Sequence, residues 1–138
     1  MAPTVTLIAT EVLPGVNVSG AENIVVFSSS VDALTATAAG TITTSVLVTA
    51  KVNRFTTVAS GAGTRLPPAL PGMSITIYNA GANALSVFPA SAALGGITGG
   101  DQINALGAGA AYSLTAGNSA TYKCITTGQW YASQGALS

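Results

Sequence analysis

Apolar residues occupy every second position of residues 73–78, which read MSITIY. A repeat of two places the side chains of Ile75 and Ile77 on one face of an extended backbone and the intervening polar residues on the other. This is the pattern of a β-strand with one buried face, and it does not fit the 3.6-residue period of a helix. The segment therefore predicts a strand whose isoleucines face a core.

The residues that follow predict a return strand. Residues 79–83 (NAGAN) supply the Gly and Asn residues that adopt the positive backbone angles of tight turns. Residues 84–88 (ALSVF) then resume the alternation, with Leu85 and Val87 on one face. We therefore predict that residues 73–88 form a β-hairpin.

The C-terminal part of the chain repeats this pattern of alternating segments and turns. The alternating segments are residues 111–115, 120–124 and 129–132, and the turns between them are residues 116–118 (AGN) and 126–128 (TTG). Short strands joined by short turns predict a β-meander. The residues expected to anchor the core are apolar members of the alternating faces: Ile75, Ile77, Leu85, Val87, Leu114, Tyr122 and Trp130.

The first half of the chain is less regular but carries the same β-forming composition. We expect strands near residues 4–9, 24–28, 41–52 and 55–59, and a weak helical pattern only at residues 31–39. The 138 residues suffice for one domain with one core. The fold class that we predict is mainly β, as a small antiparallel β-sandwich or barrel-like meander.

Charged residues are scarce, which argues against several classes of function. They form 6% of the chain, as four cations and four anions, and four scattered cations cannot form the basic patch that binds nucleic acid. With no His and one Cys, the chain lacks an imidazole base and a Cys/His metal cage. We therefore expect no enzyme activity, no metal and no cofactor. The charged residues are Lys51, Arg54, Arg65, Lys123, Glu11, Glu22, Asp32 and Asp101.

The composition also does not suit a disordered chain or a membrane span. Disordered chains combine low hydrophobicity with high net charge, whereas this chain is 49% hydrophobic with a formal net charge of zero. The uncharged residues 66–100 are interrupted by Pro, Gly and Asn, which a transmembrane helix would not contain at this density. Residues 1–15 lack the basic start of a secretion signal. We expect a folded protein with no membrane partner.

Three local motifs carry chemistry in other proteins, and for each a structural interpretation is favoured. Residues 61–66 (GAGTRL) begin like a dinucleotide-binding loop, but Leu66 replaces the third glycine and Pro67 prevents the helix that would receive the phosphate. The Asn-Val-Ser sequence at residues 17–19 is a chance match to a glycosylation acceptor. The scattered carboxylates predict no glycosidase pair, and we expect them to be solvated.

Cys124 and Trp130 each have two interpretations. Cys124 alternates with Lys123, whose charge should point to the opposite face, so a buried structural thiol is favoured over a reactive one. Trp130 and Tyr131 could stack on a sugar, but the only Trp of a chain rich in small residues is more often a core anchor.

A surface with so few charges lacks the repulsion that keeps small proteins apart in solution. Burial of much of that surface in a permanent assembly would prevent nonspecific association of the copies. Composition therefore predicts an oligomer or a component of a larger particle.

Five segments, taken in order and spacing, carry a resemblance to a known family. They are residues 54–67, 77–90, 101–106, 112–117 and 128–131. Together they resemble a β-rich domain that recurs in tailed-bacteriophage virion proteins: head decoration (cement) proteins, head fibres and some fibre tips. The resemblance covers residues 54–132, although residues 91–100 form a longer link than the pattern has, and the N-terminal half lies outside it.

The resemblance implies a structural protein that decorates and stabilises the outer capsid surface of the virion. Such proteins are typically homotrimers seated at junctions between major capsid protein subunits, which they bridge. The implied partners are therefore the major capsid protein and further copies of this chain. The alternative is a head-fibre or spike domain that binds a host surface glycan, with a small glycan hydrolase as a third interpretation.

The N-terminal stretch is the natural place for attachment to such a particle. We predict that residues 1–22 form an arm or strand outside a single β-domain at residues 23–138. An extended segment can add its backbone to the exposed sheet edge of a partner without using charge. The partner-binding residues expected in this arm are Val5, Leu7 and Ile8.

Overall fold

The computed structural model describes residues 16–19, 24–27 and 29–137, with side chains described from Ser29 onward. Two sequence predictions lie outside the described residues: the strand at residues 4–9 and the partner-binding residues Val5, Leu7 and Ile8.

Strands are the main regular structure of the described part of the chain, which confirms the predicted mainly β fold. No helix in this part is long and apolar enough to cross a membrane. A 3-10 helix spans Ala92–Leu94. The strands are β1 (Val16–Ser19), β2 (Ile24–Phe27), β3 (Ser30–Thr35), β4 (Val46–Leu47), β5 (Val52–Thr57), β6 (Gly63–Arg65), β7 (Ser74–Asn79), β8 (Leu85–Phe88), β9 (Gln102–Ile103), β10 (Tyr112–Leu114), β11 (Asn118–Thr126) and β12 (Gln129–Ala136).

The strands form two larger sheets and one separate pair. The six-stranded sheet has the order β3-β5-β7-β11-β12-β9, and the four-stranded sheet has the order β10-β8-β6-β4. Strands β1 and β2 pair antiparallel as a two-stranded sheet, which spans the boundary predicted between residues 22 and 23.

From β3 to β8 the chain winds between the two sheets in three coils. Each odd-numbered strand joins the six-stranded sheet and each even-numbered strand joins the four-stranded sheet, parallel to the strand two places earlier. In the six-stranded sheet Ser30 lies beside Val52, and Val52 lies beside Thr76. The antiparallel strands β10, β11 and β12 then complete the two sheets.

The predicted hairpin at residues 73–88 is wrong. Strand β7 belongs to the six-stranded sheet and β8 to the four-stranded sheet, so residues 80–84 cross between sheets. The corner is held by Asn79, whose buried side-chain amide donates hydrogen bonds to the carbonyl oxygens of Asn83 and Leu114, each at 2.9 Å. Alternation identifies which residues face a core, but it does not identify the neighbouring strand.

The predicted antiparallel arrangement and β-meander are correct only in part. Strands β11 and β12 form the predicted antiparallel hairpin around the turn at Gly128, which has a φ of 82°. However, β10 pairs with β8 in the other sheet, β9 pairs parallel to β12, and both larger sheets are mixed. Parallel pairing follows because each coil returns the chain to the same sheet in the same direction.

Two predictions in the first half of the chain are also wrong. The segment 31–39 begins as the strand β3 and is not helical. In the segment 41–52, residues 42–44 form a turn, in which the hydroxyl of Thr41 accepts hydrogen bonds from the amides of Thr43 and Thr44, and only β4 is extended in the sheet. Hydroxyl side chains that bond to nearby amides compete with strand pairing, which explains the error. The predicted strands at residues 24–28 and 55–59 correspond to β2 and β5.

A single core takes residues from both larger sheets. Trp130 is fully enclosed, and the ring of Tyr122 packs edge-on against Tyr112 with 5.8 Å between the ring centroids. All seven residues expected to anchor the core are buried: Ile75, Ile77, Leu85, Val87, Leu114, Tyr122 and Trp130.

Candidate interaction surfaces

The six-stranded sheet turns one face towards the core and the other towards solvent. Along its central strands, buried and solvent-open positions alternate. We define the outer sheet face by the outward residues of these strands: Arg54, Thr56, Thr76, Tyr78, Thr121, Lys123, Ile125, Tyr131 and Ser133. Hydroxyl-bearing residues dominate it, so it is a broad surface of low charge.

Two large apolar side chains stand out on this face. Ile125 is 75% exposed and Tyr131 is 49% exposed. Ile125 lies at a register shift between Cys124 and Thr126, where the pairing of β11 with β12 is interrupted. A bulge of this kind turns a side chain away from the regular pleat. Together with Lys123, which lies across from Tyr131, they border a shallow depression of about 460 Å³.

The other charges of this side of the molecule are paired. The guanidinium Nε of Arg54 donates a 2.7 Å hydrogen bond to the carboxylate of Asp32 on β3. The pKa of Asp32 is lowered, first by the hydrogen bond from the amide of Ala33 and second by the side chain of Arg54. Arg54 is therefore neutralised locally, and Lys123 is the one unpaired charge among the residues that define the outer sheet face.

A second surface is a groove of about 800 Å³ beside the connections into β5 and β7, which we call the lateral groove. Its lining is mainly apolar, with hydroxyl groups and one amine at its margin. The lining residues are Ser29, Leu47, Val48, Thr49, Ala50, Lys51, Val52, Pro67, Gly72, Met73, Ser74, Ile75 and Thr76.

Asp101 is completely buried, so the expectation that the carboxylates are solvated is wrong for this residue. Its two carboxylate oxygens accept hydrogen bonds from the backbone amides of Ala69 at 2.8 Å and Ile97 at 2.9 Å. Its own amide donates to the carbonyl oxygen of Ala90. Asp101 therefore fastens the 91–100 loop to the rest of the fold, a structural task that satisfies the carboxylate with backbone donors.

Cys124 and Trp130 both lie inside the molecule. The thiol of Cys124 is 3% exposed and donates a 3.2 Å hydrogen bond to the carbonyl oxygen of Thr126, and burial raises the pKa of this thiol. Trp130 has no exposed surface and therefore cannot stack on a bound sugar, whereas the neighbouring Tyr131 is open to solvent.

The interaction surfaces were not found from the sequence alone. Ile125 follows the inward Cys124 in the alternation, which places an apolar residue at an outward position and was the available signal. The lateral groove is assembled from three separate stretches of chain, and no local pattern indicates it.

Within residues 29–137, no group of three or more His, Cys, Asp or Glu side chains could hold a metal ion. A comparison of the chain with family models, curated proteins and solved structures found no match. The resemblance to phage decoration proteins therefore stays a prediction that rests on residues 54–132.

Proposed function

We propose that this chain is a structural protein of a tailed-bacteriophage virion that decorates the outer capsid and bridges major capsid protein subunits. The observation that carries the proposal is the outer sheet face, which combines low charge with the exposed side chains of Ile125 and Tyr131. A large protein partner can cover such a face without desolvating many charges. The resemblance of residues 54–132 names the kind of partner.

The mechanism that we propose is mechanical and needs neither a catalytic residue nor a cofactor. Packaged DNA presses a capsid outward, and the shell fails where neighbouring subunits separate. A protein that bridges the junction adds buried surface that must be exposed first. Each 200 Å² of apolar surface contributes about 5 kcal/mol at about 25 cal/mol per Å², before the cost of association is subtracted.

We propose in addition that three copies associate on the particle. Within each copy, the form that we propose is a sandwich whose strands are wound in coils, because one core joins both larger sheets. Light scattering of the free protein tests the oligomer: a trimer has three times the mass of the 13.5 kDa chain. A mass near that of the single chain would restrict the trimer to the particle.

The proposed function is tested by binding of the purified protein to capsids that lack it. Ile125→Asp should weaken binding at least tenfold, because it places a charge on the covered face. Thr43→Asp is the control, since Thr43 is exposed and lies in the turn before β4, a strand of the other large sheet. Equal binding by both variants and the parent protein would contradict the proposed role of the outer sheet face. Failure of the parent protein to bind or stabilise capsids would contradict the function itself.

A second candidate function is recognition of a host surface glycan, and Tyr131 is the observation that favours it. An exposed aromatic ring beside Lys123 and the hydroxyl groups of Thr121 and Ser133 offers a stacking surface with hydrogen-bonding groups at its edge. Binding of purified host polysaccharide by the parent protein, and its loss in Tyr131→Ala, would support this function. The copy number per particle separates the two: hundreds are expected for a decoration protein, and a few dozen or fewer for a spike.

A further inference from the structure

The lateral groove lies where the described side chains begin. Ser29, the first of them, lines the groove and is bonded to its wall: the hydroxyl of Ser29 accepts from the amide of Lys51 at 2.8 Å, and its carbonyl oxygen accepts from the amide of Val52 at 3.1 Å. Strand β2 ends at Phe27, only two residues earlier. The chain that precedes Ser29 must therefore start from the groove.

The backbone hydrogen bond of the Ser29 carbonyl oxygen is repeated one coil later. There the carbonyl oxygen of Lys51 accepts from the amide of Thr76 at 2.7 Å, just as that of Ser29 accepts from the amide of Val52. Ser29 thus occupies in the first coil the position that Lys51 occupies in the second. The residues before Ser29 are accordingly the counterparts of the residues before Lys51, which contain β4.

The interval in sequence from the start of β2 to the start of β3 equals the interval from the start of β4 to the start of β5. Since Ser30 aligns with Val52, the same offset aligns Val25 with Leu47. Both stretches are apolar, with Ile24, Val25 and Val26 corresponding to Val46, Leu47 and Val48. The alternation of strands between the two sheets also assigns the strand before β3 to the four-stranded sheet.

The edge that would receive β2 is open in the described part of the chain. Strand β4 is the last strand of the four-stranded sheet. The amide of Val48 donates to the carbonyl oxygen of Arg65 on β6, and backbone groups of successive residues point to opposite sides of a strand. The backbone groups of Leu47 therefore point away from β6, towards the groove side. An unpaired strand edge of this kind is a template for another strand.

The β1–β2 hairpin requires packing against another part of the molecule to be stable. Its register pairs Val16 with Phe27 and Val18 with Val25, so the two strands join apolar residues across the pair. A two-stranded hairpin alone is at best marginally stable in water.

We propose that the β1–β2 hairpin of the same chain docks in the lateral groove, with β2 running parallel to β4 and Val25 beside Leu47. The four-stranded sheet then has the order β10-β8-β6-β4-β2-β1, and the hairpin covers the groove. Tethering at Ser29 keeps the hairpin at high effective concentration beside its own groove, which favours its own chain over a second copy. The inference does not depend on the proposed function.

A disulfide cross-link in the full chain tests this proposal. Val25→Cys and Leu47→Cys are combined in a Cys124→Ala background, so that no other thiol is present. Neighbouring strands bring paired residues within the Cα separation that a disulfide requires. The expected result is an intramolecular disulfide in most chains under mild oxidation, detected by peptide mass, with unchanged circular dichroism. The control pairs Val25→Cys with Thr121→Cys, which lies on β11, two strands beyond β5, and should not cross-link.

Two outcomes would overturn the proposal. A disulfide-linked dimer would show that the hairpin of a second copy occupies the groove. Equal cross-linking of the test and control pairs, or no cross-linking of either, would show that β2 does not lie beside β4. Amide hydrogen exchange gives an independent measurement: the amide of Leu47 should exchange at least tenfold faster in Val25→Asp than in the parent protein, while that of Ile77 in the core should be unchanged.

Discussion

The carboxylate of Asp101 accepts a 2.8 Å hydrogen bond from the backbone amide of Ala69, which lies 32 residues earlier in the chain. Neither group reaches solvent, since Asp101 has no exposed surface and Ala69 is 1% exposed. The second oxygen of the same carboxylate is bonded to the amide of Ile97. One side chain therefore closes the loop that contains Ile97 and fastens it to Ala69.

Replacing Asp101 with Ala should destabilise the protein by about 3 kcal/mol, because the buried amide of Ala69 and the part-buried amide of Ile97 lose their acceptor. The stability of Asp101→Asn should lie between that of the parent protein and that of Asp101→Ala, because the Asn side chain keeps one oxygen that can accept a hydrogen bond. Urea denaturation monitored by the fluorescence of Trp130 measures both. Asp32→Ala is the control, because Asp32 is solvent-exposed, and its denaturation midpoint should fall much less than that of Asp101→Ala. A midpoint for Asp101→Ala equal to the parent would contradict the structural role of this carboxylate.

Trp130→Ala should cost about 3–5 kcal/mol, the range for deleting a large aromatic side chain from a core. Trp130 is fully buried, whereas Tyr131 beside it is half exposed, so Tyr131→Ala provides a matched control with a much smaller effect. Thermal unfolding monitored by circular dichroism compares the two variants. Equal melting temperatures for Trp130→Ala and the parent protein would show that this ring does not anchor the core.

Tyr122 should make the protein sensitive to alkali. Burial raises the pKa of its hydroxyl well above the usual 10.0, and the nearby Tyr112 acts in the same direction. As the pH rises above about 10, the unfolded chain releases this proton while the folded chain keeps it, so stability falls with increasing pH. Tyr122→Phe should reduce the slope of stability against pH. At pH 7 it should lower the free energy of unfolding only slightly, because the buried hydroxyl has no hydrogen-bond partner within the described residues. Denaturation series between pH 8 and 11 test both statements, and an unchanged slope in Tyr122→Phe would refute the first.

Cys124 should react slowly with thiol reagents in the folded protein. The raised pKa leaves little thiolate near pH 8, and the 3% exposure of the residue restricts access. Ellman's reagent should therefore modify native protein far more slowly than protein unfolded in urea. Comparable rates in the two states would mean that the strand β11 opens readily around this residue.

The sequence predicts the faces of the strands better than their partners. Alternation correctly placed Ile77, Leu85 and Tyr122 inward, because burial acts on each residue independently of which strand lies beside it. The pairing of β7 with β5 and β11 depends on where distant segments meet, and a five-residue link such as residues 80–84 serves a hairpin and a crossover equally well. The winding of the chain was therefore not predictable from local pattern.

The candidate surfaces were likewise predictable only in the direction of individual side chains and not in how distant segments meet. The outward position of Ile125 follows from its place in the alternation, but the bulge that exposes it arises from pairing with β12. No local sequence pattern indicates that Asp101 is buried. Its carboxylate accepts hydrogen bonds from the amides of Ala69, which is distant in sequence, and of Ile97.

The position of β12 determines when the six-stranded sheet can be completed during synthesis of the chain. This last strand lies inside the six-stranded sheet, between β11 and β9, and Asn104 is bonded through its side chain to both the amide and the carbonyl oxygen of Ala132. While the ribosome is still making residues 129–136, β9 and β11 each lack a neighbour, and Trp130 is missing from the core. A chain truncated before Gln129 should consequently have an open edge at β11 and no partner strand for β9. The six-stranded sheet can therefore close only after residues 129–136 have been synthesised.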